Sequence, residues 1–260
     1  MRPATTTTTL SVGETDVARI GLGTNRLRNT PDTIALIRDA VELGVGMIDT
    51  AHLYTDGDSE RTLGAALAPF PEGCIVATKG GYSPGEGRPS VLRAQIEESF
   101  RRLRADVIDL YYLHRVHPDT PLEESLAVIA NYHEEGRIRH VGLSQVGVDL
   151  IERARRIVPI TAVQNQYSVA ERGWDDVIGH CAREGIVFVP YFPLKGADPP
   201  ALSEIAERRG ATRAQIRLAW LLKRSPATLP IPGTLSIEHL GENLAALDIE
   251  LTDDEFDAVS

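Results

Sequence analysis

The sequence predicts an α/β protein, a (β/α)8 TIM barrel with an N-terminal β-hairpin, and three observations carry that prediction. Short apolar runs of the parallel-strand type alternate with amphipathic helical segments along the whole chain. Eight such strand-plus-helix units can be counted, more than the roughly five or six strands of an ordinary open sheet, and 260 residues suit a closed barrel. No linker or composition break divides the chain, so residues 1–260 are expected to form a single domain.

Each element follows from local chemistry. Residues 5–12 and 17–20, separated by Gly13-Glu14, read as the hairpin. Strand one covers 21–25, where Gly21 and Gly23 leave room for close approach to the backbone. Thr30-Pro31-Asp32 starts a helix that Gly44 ends. Strand two, 45–48, stops at Asp49, and a helix over 59–68 follows. Strand three, 74–78, stops at Lys79 and leads through a glycine-rich loop, 80–88, into a helix over 90–104. Strand four, 107–113, ends in His114, and Thr120-Pro121-Leu122-Glu123 reads as a capping box for a helix closed by Gly136. Strand five, 140–143, ends in Ser144-Gln145, and strand six, 161–163, in Gln164-Asn165-Gln166. Strand seven, 186–189, ends in Pro190-Tyr191, and strand eight, 228–231, in Pro232-Gly233-Thr234. A second capping box, Thr212 to Gln215, lies between these last two strands, and Thr252 opens a short final helix.

Composition excludes several functions. A net charge of −10 and a pI near 5.2 argue against a nucleic-acid or anionic-membrane partner. Arg101-Arg102-Leu103-Arg104 and the arginines of 153–156 alternate with carboxylates at helical spacing and read as solvated faces. Cys74 and Cys181 are too few and too distant for a disulfide framework or a thiolate metal site. No apolar run approaches membrane-spanning length, and Met1-Arg2-Pro3 followed by threonines does not resemble a signal peptide, so a cytoplasmic location is expected.

In a parallel barrel every strand end points to one mouth, where chemistry is usually located. Asp49, Tyr54, Lys79 and His114 would meet there. The stretches that surround them are Gly21-Leu22-Gly23-Thr24, Asp49-Thr50-Ala51, Tyr54-x-x-Gly57-x-Ser59-Glu60, Thr78-Lys79 and Asp109-Leu110-Tyr111-Tyr112-Leu113-His114. Further along come Gly136-Arg137-Ile138-Arg139-x-Val141-Gly142-Leu143-Ser144, Val163-Gln164-Asn165-Gln166-Tyr167 and Ile231-Pro232-Gly233-Thr234 with Glu242-Asn243. Together, and in this order, they resemble the aldo-keto reductases over nearly the whole chain. The stretches after His114 and around Phe192 look most like bacterial members related to pyridoxal reductases and channel β-subunits.

The resemblance implies a carbonyl reductase using NADP(H), with NAD(H) possible, acting on a small aldehyde or ketone. Reduction leaves negative charge on the carbonyl oxygen, so a proton must be delivered there, and Tyr54 is the implied general acid. A free phenol has a pKa of about 10, and the Lys79 ammonium, held by Asp49, is expected to lower it. His114 is expected to donate a hydrogen bond to the carbonyl oxygen. By the same resemblance Gly23, Thr24 and Asp49 lie by the nicotinamide, Ser144, Gln145 and Gln164 near its carboxamide, and Tyr191, Phe192 and Leu194 beside its ring. Gln145 stands where Asn is usual in the family, and Phe192 where Ser is common. Gly233, Thr234, His239, Glu242 and Asn243 are expected at the adenosine end. Gly233 and His239 stand where many relatives carry Lys and Arg, so a preference for NADPH over NADH is expected to be modest.

A metal reading is also open to His52 and to the His114–His117 pair. Pro118 makes the latter a loop rather than a helix face, so no metal is expected and rim positions are expected for His52 and His117. Because the chain stops at Ser260 soon after its last helix, an open pocket and loose substrate selection are expected. The alternative function is an NADP(H)-binding regulatory or sensor subunit with little turnover. An intact set of four reactive residues favours the enzyme, and nothing in the residues specifies an oligomeric state.

Overall fold

The computed structural model describes residues 8–260; residues 1–7, which include 5–7 of the expected hairpin, lie outside the described residues. The hairpin is β1 (Thr9–Val12) paired antiparallel with β2 (Thr15–Ala18). The barrel follows as β3 (Leu22–Gly23), α1 (Pro31–Glu42), β4 (Met47–Asp49), α2 (Asp58–Leu67), β5 (Ile75–Gly80), α3 (Pro89–Leu103) and β6 (Ile108–Leu113). It continues with α4 (Leu122–Glu134), β7 (Ile138–Ser144), α5 (Val148–Arg155), β8 (Ala162–Gln164), α6 (Asp175–Glu184) and β9 (Val187–Phe188). Four more helices complete the chain: α7 (Pro200–Arg209), α8 (Arg213–Arg224), α9 (Ile237–Ala245) and α10 (Asp253–Val259). Strands β3 to β9 are parallel and pair in chain order.

The eighth stave, over 227–233, closes the barrel without forming a regular ladder, because Pro230 and Pro232 have no N–H to donate. Their carbonyls accept from Gly21 N at 3.0 Å and Gly23 N at 3.2 Å. On the other side Leu229 N donates to Phe188 O at 2.9 Å and Ile231 N to Pro190 O at 3.2 Å. β3 is shorter than the expected 21–25, although Thr24 N, donating to Asp49 O at 3.0 Å, carries its pairing with β4 one residue further.

Two apolar clusters hold the layers together. The larger lies between the outside of the barrel and the helices, and the smaller fills the barrel itself with Met47, Ile75, Ala77, Leu110, Tyr112, Ala162, Val187, Val189, Leu229 and Ile231. Val12 and Val17 of the hairpin belong to this inner cluster, so the hairpin plugs one end of the barrel. Gly46 is required beneath it, since a Cβ there would sit 2.8 Å from Val17 Cβ. The inner cluster follows the two-residue period of strands. Met47 leads to Asp49, Ile75 and Ala77 to Lys79, Leu110 and Tyr112 to His114, Ala162 to Gln164, and Val187 and Val189 to Tyr191. Each of these strands is apolar inside the barrel and turns polar at its C-terminal end, while β7 contributes no side chain to the inner cluster.

The helix signals hold at three places and fail at one. Thr30, Thr212 and Thr252 each cap their helix reciprocally with the residue three positions on. Thr120 does not: α4 starts from Pro121 with no side-chain cap, and Thr120 Oγ1 is buried without a hydrogen-bond partner among the described residues. Proline at the cap position itself, rather than at the first helical residue, leaves Thr120 one residue too far back to reach the turn.

Candidate active site

Asp49, Tyr54, Lys79 and His114 meet at the C-terminal mouth. Asp49 and Lys79 are inward residues of adjacent parallel strands, and Lys79 is in register with Tyr112 of β6. The Lys79 ammonium is fully buried and donates to Asp49 Oδ2 at 2.6 Å, to Thr50 O at 2.7 Å and to Tyr54 Oη at 3.2 Å. Its three N–H bonds thus have three acceptors. The other Asp49 oxygen accepts from Gln164 Nε2 at 2.7 Å. A short chain of hydroxyls supports the group from behind: Thr24 Oγ1 donates to Asp49 O and lies 2.7 Å from Ser59 Oγ, which lies 2.6 Å from Thr50 Oγ1.

Tyr54 reaches this group from a loop. A single 3-10 turn, Tyr54–Gly57, holds Thr55 and Asp56 in left-handed conformations, with φ of 48° and 55°. Two consecutive non-glycine residues in that region carry backbone strain. The Thr55 hydroxyl, donating to Leu27 O at 2.6 Å, helps to hold the turn. The Tyr54 ring packs edge-on to His114 with centroids 6.1 Å apart, and the Lys79 ammonium sits 4.8 Å from its centre.

Burial dominates the proton affinities. It pushes the Tyr54 phenol above its ordinary value; Lys79 opposes the shift and Asp49 adds to it. Lys79 does act to lower the Tyr54 pKa, as the sequence reading expected, and Arg115 acts with it, but burial together with Asp49 outweighs both and the net direction is upward. Burial works against the Lys79 ammonium, but Asp49 and Tyr54 beside it outweigh that, and its pKa is raised. Burial pushes the Asp49 carboxyl up, against the pull of Lys79 and Gln164. The His114 imidazole is held well below its ordinary value by burial, then by Lys79 and Arg115, so it is neutral at physiological pH. Its Nδ1 is buried with no partner among the described residues, which leaves Nε2 as the ring nitrogen available to a ligand.

A cavity of about 370 Å³ opens on these residues, lined by Asp49, Tyr54 and His114 together with Gly23, Thr24, Ser144, Gln164, Tyr191, Phe192 and Gly233. Ser144 and Gln164 are in register on neighbouring strands. Ser144 Oγ accepts from Arg115 Nη1 at 2.9 Å, so its own proton is free to be donated. Gln164 gives Nε2 to Asp49, so its Oε1 is free to accept. One donor beside one acceptor matches a primary carboxamide, and the residues present fit a nicotinamide.

The remaining expected cofactor residues lie outside this cavity. Gln145 has a left-handed backbone, φ 57°, and spends its side-chain oxygen on Gln166 N at 2.8 Å. Leu194 packs against the outer core. Thr234 Oγ1 accepts from Ser236 N, and His239 and Glu242 are exposed on α9 while Asn243 is buried beneath it. His52 and His117, expected at the rim, are not among the residues that line the cavity. His52 faces the Arg102–Glu60 ion pair, with Arg102 donating to its carbonyl at 2.8 Å, and His117 bonds Tyr82 O at 2.7 Å. Among the described residues no group of three or more His, Cys, Asp or Glu side chains is placed to hold a metal.

Several lining residues were not anticipated: Asn25, Leu53, Tyr82, Arg115, Gln166 and Ile231. Arg26, beside Asn25, donates to Gly233 O at 3.2 Å. For Arg115 the signal was its place next to His114, and for Tyr82 its place in the glycine-rich loop after Lys79.

The sequence profile described as the Aldo/keto reductase family matches residues 19–198 and 197–260. An uncharacterized oxidoreductase of Schizosaccharomyces pombe is 38% identical over 95% of this chain and 87% of its own. A pyridoxine 4-dehydrogenase of Escherichia coli is 35% identical over 95% of each chain. The crystal structure of an aldo-keto reductase from Klebsiella pneumoniae in complex with NADPH superposes with a TM-score of 0.88 at 30% identity, covering 96% of this chain and 93% of that one. With the whole barrel and its mouth matched in this way, the chain belongs to the aldo/keto reductase family.

Proposed function

We propose that this protein reduces small aldehydes or ketones with NADPH, acting as one barrel unit, and that Tyr54 is its general acid. The observation that carries this is the buried chain Asp49–Lys79–Tyr54, with Tyr54 and the neutral His114 facing one cavity. NADPH, held by the residues around the nicotinamide pocket, would supply the hydride for the carbonyl carbon. His114 Nε2–H donates to the carbonyl oxygen and orients it. Tyr54, a protonated phenol at neutral pH, gives its proton to the same oxygen. The phenolate that remains faces the Lys79 ammonium at 3.2 Å, and Asp49 and Thr50 O keep that charge in place.

Ser144 and Gln164 are the proposed carboxamide partners, and Gly23, Thr24, Tyr191 and Phe192 the proposed walls around the nicotinamide. Leu194 and the Gln145 amide, turned to Gln166, take supporting places. Gly233, Thr234, His239, Glu242 and Asn243 remain the proposed adenosine end. Arg26, bonded to Gly233 O, brings there a cation that the sequence reading lacked, in support of NADPH. The relative called pyridoxine 4-dehydrogenase adds pyridoxal to the carbonyls worth testing. Two free, buried cysteines support a reducing, cytoplasmic setting; no helix among the described residues is long and apolar enough to cross a membrane.

The test is a panel of aldehydes and ketones, pyridoxal included, assayed by loss of NADPH absorbance. Turnover of several members is expected. Tight NADPH binding without reduction of any of them would overturn the enzyme reading and favour a regulatory subunit.

A further inference from the structure

We propose that Arg115 selects carbonyl substrates that carry an anionic group, a carboxylate or a phosphate monoester. The inference rests on the reductase reading above, and it concerns which carbonyl compounds that site prefers.

Arg115 follows His114 directly and lines the same cavity as Tyr54 and His114. All the acceptors around its guanidinium are neutral. Nη1 donates to His114 O at 2.7 Å and to Ser144 Oγ at 2.9 Å, and Nη2 reaches Tyr191 Oη only at 3.5 Å. The face of the group lies over the Tyr82 ring, 5.2 Å from its centre. Among the described residues no carboxylate forms an ion pair with it. Asp49, the carboxylate that lines the cavity, is taken up by Lys79. Several other guanidinium groups of low exposure are paired with carboxylates, as Arg102 is with Glu60 and Glu98, Arg217 with Asp198 and Arg209 with Glu255. Arg115 thus brings an uncompensated positive charge to a reaction cavity, in a protein whose net charge is −10.

The geometry also leaves the right edge free. Both firm bonds come from Nη1, so the edge formed by Nε and Nη2 carries only the 3.5 Å contact to Tyr191. Two parallel N–H donors on one edge of a guanidinium match two oxygens of a carboxylate or phosphate. In the same cavity the exposed side chains of Leu53, Phe192 and Tyr82 offer an apolar surface to the body of the same molecule. An aromatic or short aliphatic aldehyde with an anionic end satisfies both. Its carbonyl would reach Tyr54 and His114 while its charge meets Arg115. A neutral aldehyde would have to leave the guanidinium on its present neutral acceptors.

The test uses three para-substituted benzaldehydes of similar size: para-formylbenzoate, para-formylphenyl phosphate and the neutral methyl ester of the first. Each is assayed with NADPH and wild type, Arg115→Met and Arg115→Lys, and the readout is the ratio of kcat/KM, anion over ester, within each protein. For wild type at least one anion should exceed the ester by about tenfold or more, mainly through KM, as expected for a charge-assisted bond. Which anion leads tells carboxylate from phosphate. The ratio should fall to about one in Arg115→Met and to an intermediate value in Arg115→Lys, which keeps the charge and loses the fork. Because each ratio is internal, a general loss of rate does not disturb it, and if Arg115→Met turns over nothing, the Lys variant decides. A wild type that reduces the ester as well as both anions overturns the inference and leaves the reductase reading intact. An undiminished ratio in Arg115→Met, or in Arg115→Lys where that variant decides, overturns it as well. A wild type that reduces none of the three, nor any member of the wider panel, removes the reading on which it rests.

Discussion

Replacing Tyr54 by Phe removes one oxygen from the site and little else, which makes its effect calculable. The ring keeps its edge contact with His114 and its place beneath the Lys79 ammonium. Lys79 loses the longest of its three hydrogen bonds, 3.2 Å, and keeps those of 2.6 and 2.7 Å to Asp49 and Thr50. One such bond contributes about 0.5–1.5 kcal/mol, so Tm should move by only a few degrees. Turnover should respond quite differently. Loss of a positioned general acid typically removes a factor of about 10² to 10⁴, or about 3–5 kcal/mol of transition-state stabilisation. No second acid can substitute for it, because His114 is neutral and its proton is committed to orienting the carbonyl. The upper half of that range is therefore expected. The assay is steady-state reduction of the best aldehyde from the panel, beside NADPH binding by fluorescence and Tm for both proteins. A Phe variant within about fivefold of wild type in kcat, with unchanged cofactor binding, would refute the assignment of Tyr54.

Lys79→Met should do more harm to the fold, since it leaves the Asp49 carboxylate buried with Gln164 as its one remaining side-chain donor. A loss of about 3–5 kcal/mol is expected from an uncompensated buried charge; adding Asp49→Asn should recover much of that in urea unfolding but none of the turnover. A single variant as stable as wild type would mean that the pair is not ionised in the barrel. At the far end of the chain, Arg209 first of all holds the Glu255 carboxyl down to about 2, where its ordinary value is 4.5. A lowered carboxyl pKa gives stability that is complete above the unfolded value and is lost as pH falls through the folded one. The tie between α10 and α7 should therefore weaken between about pH 4.5 and pH 2, by about 1–2 kcal/mol once the exposure of Arg208 and Arg209 is allowed for. Glu255→Gln should flatten that part of the urea-midpoint profile, and an unchanged acid slope would show that the bridge contributes nothing.

Much of the site was legible because a strand has a period of two. Ile75, Ala77 and Lys79, or Leu110, Tyr112 and His114, alternate with residues that pack under the helices, so the one polar side chain at the end of each inner row had to face the mouth. That register permits the convergence of Asp49, Lys79 and His114, whereas Tyr54 joins them from the turn after β4, which register does not fix. The eighth stave was legible as a strand by position, and its irregular pairing follows from two visible prolines. Other features depend on relations across the fold. Thr120 has the sequence of a cap, yet α4, which packs on β7 and α3, starts with Pro121 at the cap position. His52 and His117 lie close to the tetrad in sequence but turn to Arg102 and to the Tyr82 carbonyl. Nothing in the spacing separates those orientations from rim positions.

The sign of the Tyr54 shift alters the role of Lys79. Proximity in a motif suggests an ammonium that makes the phenol more acidic at rest. The barrel mouth imposes a larger opposite effect, because the phenolate would be partly desolvated and near the Asp49 carboxylate. At rest the phenol is therefore held protonated, as a proton donor must be. The influence of Lys79 is felt chiefly as the proton leaves, when negative charge grows on an oxygen 3.2 Å from the ammonium. An interaction that strengthens only then contributes to rate rather than to ground-state binding. The buried Asp49, the Thr50 carbonyl and the Ser59–Thr24 hydroxyls behind them serve that step by fixing the ammonium in advance, so that little reorganisation is left for the moment of transfer.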